Sequence, residues 1–236
     1  MRKDRIVAIS GAAGGLGPTV ARAFFEDGAS LAVAGRSQEG LSRLLDSLKV
    51  PAERRLATAV DLTDQAAARG WAQEIIGKFG RVDVVLHLVG GYKGGISIAD
   101  IDDAEWNSLH DMIVRTTLNV ARAFVGPLKS GGWGRFIGVT SPKAQAPTAK
   151  SALYAMGKAA SDALVLALAD ELRGTGATAN LIVVDAIDTP ESRGNEPKKP
   201  YGKSTPAEEI AAAMLFLCSD QAATINGVRL PLIGRG

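Results

Sequence analysis

Short apolar runs alternate with longer helical patterns from one end of this chain to the other, and that alternation leaves few folds open. The apolar runs fall at 6–10, 30–35, 56–60, 82–89, 135–140, 178–184 and 228–232, and helical patterns fall at 17–27, 39–48, 65–78, 104–129, 151–173 and 206–218. Apolar runs without polar alternation suit strands covered on both faces. Strand–helix alternation of this kind predicts an α/β fold, a Rossmann-like doubly wound parallel sheet of about seven strands with helices on both faces. A chain of 236 residues is long enough to bury a sizeable core as one domain, and no repeat, low-complexity tract or long linker divides it. One domain over 1–236 is therefore expected.

Composition narrows the function mainly by exclusion. With 27 basic and 25 acidic residues the chain has no strong charge bias, so neither a nucleic-acid nor a membrane partner is expected. The apolar run near the N-terminus is too short for a signal-peptide core, and nothing later reads as a membrane span. Cys218 is the only cysteine, which excludes an intrachain disulfide and points to the cytoplasm. The two histidines, His87 and His110, sit in no ligand-spaced cluster, so no metal centre is expected.

Two motifs carry chemistry. The first is Ser10-Gly-Ala-Ala-Gly-Gly-Leu-Gly17, between the first predicted strand and helix. Gly11 would permit the tight turn and Gly15 would let the backbone approach a pyrophosphate. Gly17 would allow close packing, with the helix N-terminus facing the phosphates. At the end of the second strand, Gly35-Arg36 stands where an NAD site usually offers a carboxylate, which favours NADP(H) while leaving NAD(H) possible. After the third strand, Asp61-Leu62 offers a carboxylate for an adenine amino group; Asp61 could equally cap the next helix, as could Thr63 or Asp64.

The second motif is Ser141 with Tyr154-Ala-Met-Gly-Lys158. Residues four apart on a helix are neighbours, so Tyr154 and Lys158 share a face. An unperturbed phenol titrates near about 10, and a lysine ammonium beside it is expected to favour the phenolate. The phenol could then exchange a proton near working pH, with Ser141 holding the substrate oxygen in line.

On these residues the chain resembles the classical short-chain dehydrogenase/reductase family over essentially its whole length. The glycine turn, Asp61, Ser141, Tyr154, Lys158 and Thr189 all fall where that family's pattern puts them. The resemblance implies a sheet in the order 3-2-1-4-5-6-7 and hydride delivery from a nicotinamide to a carbonyl. Tyr154 would be the acid/base, Ser141 the oxyanion positioner, and Lys158 a partner of both Tyr154 and the nicotinamide ribose. Gly90 would lie beside the cofactor ribose, Ile187 and Thr189 at the carboxamide. The four-residue spacing of Tyr154 and Lys158 fits the classical branch; the enoyl-reductase branch uses a longer separation. The expected activity is an NADPH-preferring carbonyl–alcohol oxidoreductase acting on a small molecule, with 3-oxoacyl thioesters the most familiar substrate class. A non-catalytic cofactor-binding regulator or scaffold on the same fold is the rival reading. The family's pairing of the two long helices between subunits implies a homodimer or homotetramer.

The chain departs from that pattern in four places. The usual Asn-Asn-Ala-Gly reads His87-Leu-Val-Gly90, and the position of the family's catalytic asparagine falls on Ile113, which puts the accompanying helix distortion in doubt. The usual Pro-Gly after the sixth strand reads Val184-Asp185. If Asp185 points inward it disfavours anionic substrates near the nicotinamide; if outward it changes nothing. The closing strand lacks the usual Asp-Gly-Gly ending. Residues 189–206 read as a substrate lid or a plain surface loop. Lys143, Lys150, Lys198 and Lys199 could attract a phosphopantetheine, coenzyme A or an acidic carrier, or stand simply in solvent. Tyr92 and Lys93 are expected on a glycine-rich, flexible rim, His87 in a structural role, and Trp106 and Trp133 in packing.

Overall fold

The computed structural model describes residues 4–190, 192 and 204–233. Its strands are β1 (Ile6–Ser10), β2 (Ser30–Gly35), β3 (Arg55–Ala59), β4 (Val84–His87), β5 (Gly134–Thr140), β6 (Ala177–Val183), β7 (Ala186–Asp188), β8 (Ser204–Pro206) and β9 (Arg229–Pro231). The helices are α1 (Gly17–Glu26), α2 (Gln38–Ser47), α3 (Gln65–Phe79), α4 (Asp103–His110), α5 (Thr116–Ser130), α6 (Ala152–Glu171) and α7 (Ala207–Leu217). One parallel seven-stranded sheet runs β3-β2-β1-β4-β5-β6-β9, the expected order with β9 as the seventh strand.

Residue alternation along the central strands sorts their side chains into two cores. On β1 and β2, Val7, Ile9, Leu31 and Val33 face the core built with α1, α2 and α7. Ile6, Ala8, Ala32 and Ala34 face the opposite core, built with α3, α5 and α6. Each strand is therefore apolar on both faces, as its sequence demands. On the α3/α5 side Trp71 meets Phe124 edge-to-face, with ring centroids 5.1 Å apart.

Three sequence expectations change. The predicted strand 82–89 shortens to β4, because Leu88 and Val89 turn away to line the cleft at its carboxyl end. The helix expected over 104–129 is broken by a π-turn at Asp111–Arg115 between α4 and α5. α6 comes closer to a membrane span than the sequence reading allows, with mean hydropathy 1.3 in its most apolar window. Half of that window is buried in the fold, where α6 carries the buried Lys158 and Asp162, so it is a core helix. Most of the predicted lid 189–206 lies outside the described residues; of the rest, β8 pairs in parallel with β7. Trp133 packs against two guanidiniums, Arg5 at 3.3 Å and Arg135 at 4.2 Å from its ring centroid, whereas Trp106 stays partly exposed beside His110.

The edge strand β9 is fastened to α6 by an ion pair, Arg229 Nε to Asp162 Oδ2 at 2.9 Å. Asp162 is fully buried, so removing it strands a largely buried guanidinium. Asp162→Ala is expected to cost about 3 kcal/mol, measured as a lowered urea midpoint. An unchanged midpoint would show that the pair contributes nothing.

Candidate active site

At the carboxyl ends of β1, β4, β5 and β6 lies a cavity of about 540 Å³. It brings together Gly11, Gly15, Leu16, Gly17, Gly90, Ser141, Tyr154, Lys158, Ile187 and Thr189, ten of the thirteen residues singled out by sequence. Open α/β sheets bind ligands in this crevice.

The glycine turn is shaped by close approach. Gly11 has φ +76°, and a Cβ there would lie 3.0 Å from the backbone of Leu88 and Val89. A Cβ on Gly17 would sit 2.1 Å from the carbonyl oxygen of Ala12, so only glycine fits. Helices α2, α3 and α4 begin with side-chain caps from Ser37, Asp64 and Asp102, whereas α1 begins at Leu16 with none. The turn that leads into it, Gly14–Gly17, lines the cleft, where an anion-binding N-terminus would stand. A Cβ on Gly15 would meet Thr189 at 3.4 Å, which brackets the far wall. This cradle fits a dinucleotide pyrophosphate.

Arg36, Asp61 and Leu62 do not line that cavity. Arg36 is exposed past β2, close enough to lower the Asp61 carboxyl further. Asp61 is held below the usual carboxylate range mainly by the Thr63 hydroxyl, at 2.7 Å, and the Thr63 amide, at 2.9 Å. Asp64 caps α3, settling which of the three candidates does so. Leu62 is buried, and its carbonyl accepts from Asn119 Nδ2 at 3.0 Å. Asn119 thereby pins the turn after β3 to α5.

The reacting end is organised around Lys158, of which 6% is exposed. Its Nζ donates to the Val139 carbonyl on β5 at 2.9 Å and lies 5.9 Å from the centroid of the Tyr154 ring. A Cβ on Gly90 would come within 3.2 Å of that Nζ. Burial lowers the Lys158 pKa to about 8, with Asp162 one turn along α6 opposing the fall. Tyr154 departs from expectation. Its burial pushes the phenol up, the hydrogen bond with Ser141 pulls it partly back, and Asp185, Tyr92 and Asp162 add to the rise. Desolvation of the phenol, and not the lysine that was expected to depress it, governs the shift.

The altered motifs prove to be accommodated. The π-turn survives at Ile113, whose carbonyl accepts from Thr117 Oγ1 at 2.6 Å and Ser161 Oγ at 3.2 Å. Two hydroxyls thus satisfy a carbonyl at a widened turn. Asp185 points inward: it lines the cavity and pairs with Lys143, Nζ to Oδ1 3.3 Å. The rim is tied down, with Lys93 on Glu105 at 3.0 Å and the Gly95 amide on the Lys150 carbonyl at 2.8 Å. Lys150 is exposed, and Lys198 and Lys199 lie outside the described residues. The sequence reading missed the Val139 carbonyl, the Lys143–Asp185 pair and Asp162, although Asp162 follows Lys158 at helical spacing. Among the described residues no cluster of metal-ligating side chains occurs.

His87 replaces an asparagine at the end of β4 and is buried. Its Nδ1 lies 2.8 Å from Ser10 Oγ and its Nε2 3.5 Å from Thr116 Oγ1. The Thr116 hydroxyl donates to the Met112 carbonyl at 2.7 Å, and the Ser10 hydroxyl also reaches the Leu86 carbonyl at 3.4 Å. Burial first, then the Lys158 charge, lowers the His87 pKa to about 3. His87 is therefore neutral at working pH and holds β1, β4 and α5 together. Cys218 is buried, its thiol pushed up to about 12, and is chemically quiet.

Comparison with known proteins agrees with this geometry. The family model described as enoyl-(acyl carrier protein) reductase, from the short-chain dehydrogenase/reductase family, matches residues 11–232. The meso-2,3-butanediol dehydrogenase of Serratia marcescens is 28% identical over 244 residues, covering 99% of this chain and 95% of that protein. The 3-oxoacyl-[acyl-carrier-protein] reductase FabG of Salmonella typhimurium is 26% identical over 240 residues, covering 98% and 97%. Among solved structures, the 3-ketoacyl-(acyl-carrier-protein) reductase of Brucella melitensis complexed with NADH superposes with TM-score 0.86 at 25% identity, covering 98% and 97%. The chain belongs to the short-chain dehydrogenase/reductase family and is an oxidoreductase of its classical branch.

A histidine that is neutral when folded but titrates near 6.5 when unfolded lets the unfolded state bind more protons between those values, so stability falls as pH drops. With the folded value at about 3, wild type should lose about 2 kcal/mol more than His87→Asn between pH 7 and pH 5, read by urea unfolding. Parallel losses would contradict a buried neutral imidazole.

Proposed function

We propose that this member of the family is an NADPH-preferring enzyme that interconverts a carbonyl and an alcohol, with Tyr154 as the acid/base. The observation that carries the reading is the grouping of Ser141, Tyr154 and Lys158 with the glycine cradle around one cleft. When bound, the nicotinamide dinucleotide supplies or accepts a hydride at the carbinol carbon. Ser141, buried at the end of β5, orients the carbonyl oxygen toward the phenol. Tyr154 gives that oxygen its proton in reduction and takes it back in oxidation. Lys158 keeps its own proton below a pH of about 8 and positions a ribose hydroxyl with it. Ile187 and Thr189 hold the carboxamide, and the uncapped start of α1 holds the pyrophosphate.

NADPH preference rests on Arg36, exposed at the carboxyl end of β2 with no carboxylate in the Gly35-Arg36-Ser37 turn to receive a ribose 2′-hydroxyl. The retained π-turn at Ile113 favours an enzyme over the scaffold reading. Chain size and the Salmonella relative suggest 3-oxoacyl thioesters, and the Serratia relative suggests small diols. A homodimer or homotetramer pairing α5 and α6 follows from family resemblance, and the lid reading of 189–206 from its place after the sixth strand, at the ligand edge of the sheet.

Tyr154→Phe should lower turnover about 10²–10⁴-fold while NADPH affinity stays within about twofold, because it removes the proton but not the cradle. Undiminished turnover would remove Tyr154 from the chemistry. In fluorescence titrations wild type should bind NADPH more tightly than NADH, and Arg36→Ala should weaken NADPH by about tenfold or more. Equal effects on both nucleotides would refute the arginine's role.

A further inference from the structure

The substrate end of the cleft carries a feature the hydride reaction does not use. Lys143, two residues after Ser141, forms an ion pair with Asp185, two residues past β6, and both line the cavity with Tyr154. Their side chains are 23% and 24% exposed, so each has lost most of its water and faces the cleft with what remains. Tyr92 locates the pair relative to the reacting atoms. Its ring packs edge-to-face on Tyr154, centroids 5.2 Å apart, and Lys143 Nζ lies 5.9 Å from its centroid. The pair therefore shares one end of the cleft with Tyr154, with the Tyr92 ring between them.

Any ligand that fills this end must cover a carboxylate and an ammonium together. An alkyl flank would desolvate both without replacing their hydrogen bonds. An anionic flank meets the Asp185 charge and must break the pair to reach Lys143. A hydroxyl both donates and accepts, so it can give its proton to Asp185 and take one from Lys143 with the pair intact.

We infer that the Lys143–Asp185 pair selects neutral substrates bearing a hydroxyl besides the reacting carbonyl, so that the enzyme interconverts hydroxyketones and diols. The inference rests on the carbonyl–alcohol reading above and narrows it. In reduction the hydroxyketone gains a hydride at carbon and a proton from Tyr154 at oxygen, giving the diol and the oxidised nucleotide. The other hydroxyl keeps its bonds throughout. A 3-oxoacyl thioester, whose flanks are a methylene and an alkyl chain, leaves the pair unmatched.

The test compares 3-hydroxy-2-butanone with 2-butanone, and with acetoacetyl-CoA, in wild type and in Lys143→Met/Asp185→Leu. The expected result is a kcat/KM at least about tenfold higher for the hydroxyketone in wild type, with most of that ratio lost through KM in the double variant. Circular dichroism establishes that the variant is folded, and single Asp185→Asn should lose part of the ratio if the double variant is not. A wild type that favours 2-butanone or acetoacetyl-CoA, or a ratio unchanged in the variants, overturns the inference. Saturation-transfer NMR of 3-hydroxy-2-butanone reads binding without turnover. Binding weakened by the substitutions supports the selecting pair even if no ketone is reduced, an outcome that would sink the catalytic reading instead. Equal binding in wild type and variants overturns the inference by itself.

Discussion

The buried ammonium of Lys158 is the constraint on which the rest of the site depends. A lysine with 6% of its surface exposed sits at the carboxyl edge of a parallel sheet, its charge held by one carbonyl, that of Val139, and by Asp162 a turn away. Burial works against its proton and lowers its pKa to about 8, so its surroundings must supply what water no longer does. Three residues past β4, Gly90 leaves room for Nζ, β5 presents its carbonyl, and α6 brings Tyr154 and Asp162 to either side. The long apolar helix that carries all three is stable because its other faces fill the core below the sheet.

Where the chain departs from its family, local chemistry preserves the geometry. Two hydroxyls, Thr117 and Ser161, hold the Ile113 carbonyl at a π-turn that was expected to need an asparagine. His87 occupies an asparagine position as a neutral imidazole, using both ring nitrogens to join three elements. Asp185 does not point away from the cleft but enters it and is met by Lys143. Two of these substitutions maintain the frame; the last changes what the cleft can accept.

The fold was legible because its signals are local and repeated. Apolar strands separated by amphipathic helices dictate a doubly wound sheet, and a glycine turn after the first strand dictates where its ligand end lies. Ser141, Tyr154 and Lys158 were legible for the same reason, since helical spacing and strand position bring them together. The misses arise where the outcome depends on the third dimension. Tyr154 beside Lys158 predicts a lowered phenol, but the burial that raises it cannot be read from spacing. The Lys143–Asp185 contact joins residues 42 apart through the ends of two strands. The Val139 carbonyl leaves no mark in sequence because any residue could supply it.

The central claim is that this cleft moves a hydride and a proton between a nicotinamide and a carbonyl carbon. Its most direct test is to incubate the folded, saturated protein with NADPH dideuterated at the reacting carbon and a panel of small ketones, following the product alcohol by mass spectrometry and NMR. The account predicts deuterium bound to the carbinol carbon, transferred without exchange with solvent. Folded protein that binds NADPH yet yields no labelled alcohol from any ketone would contradict it.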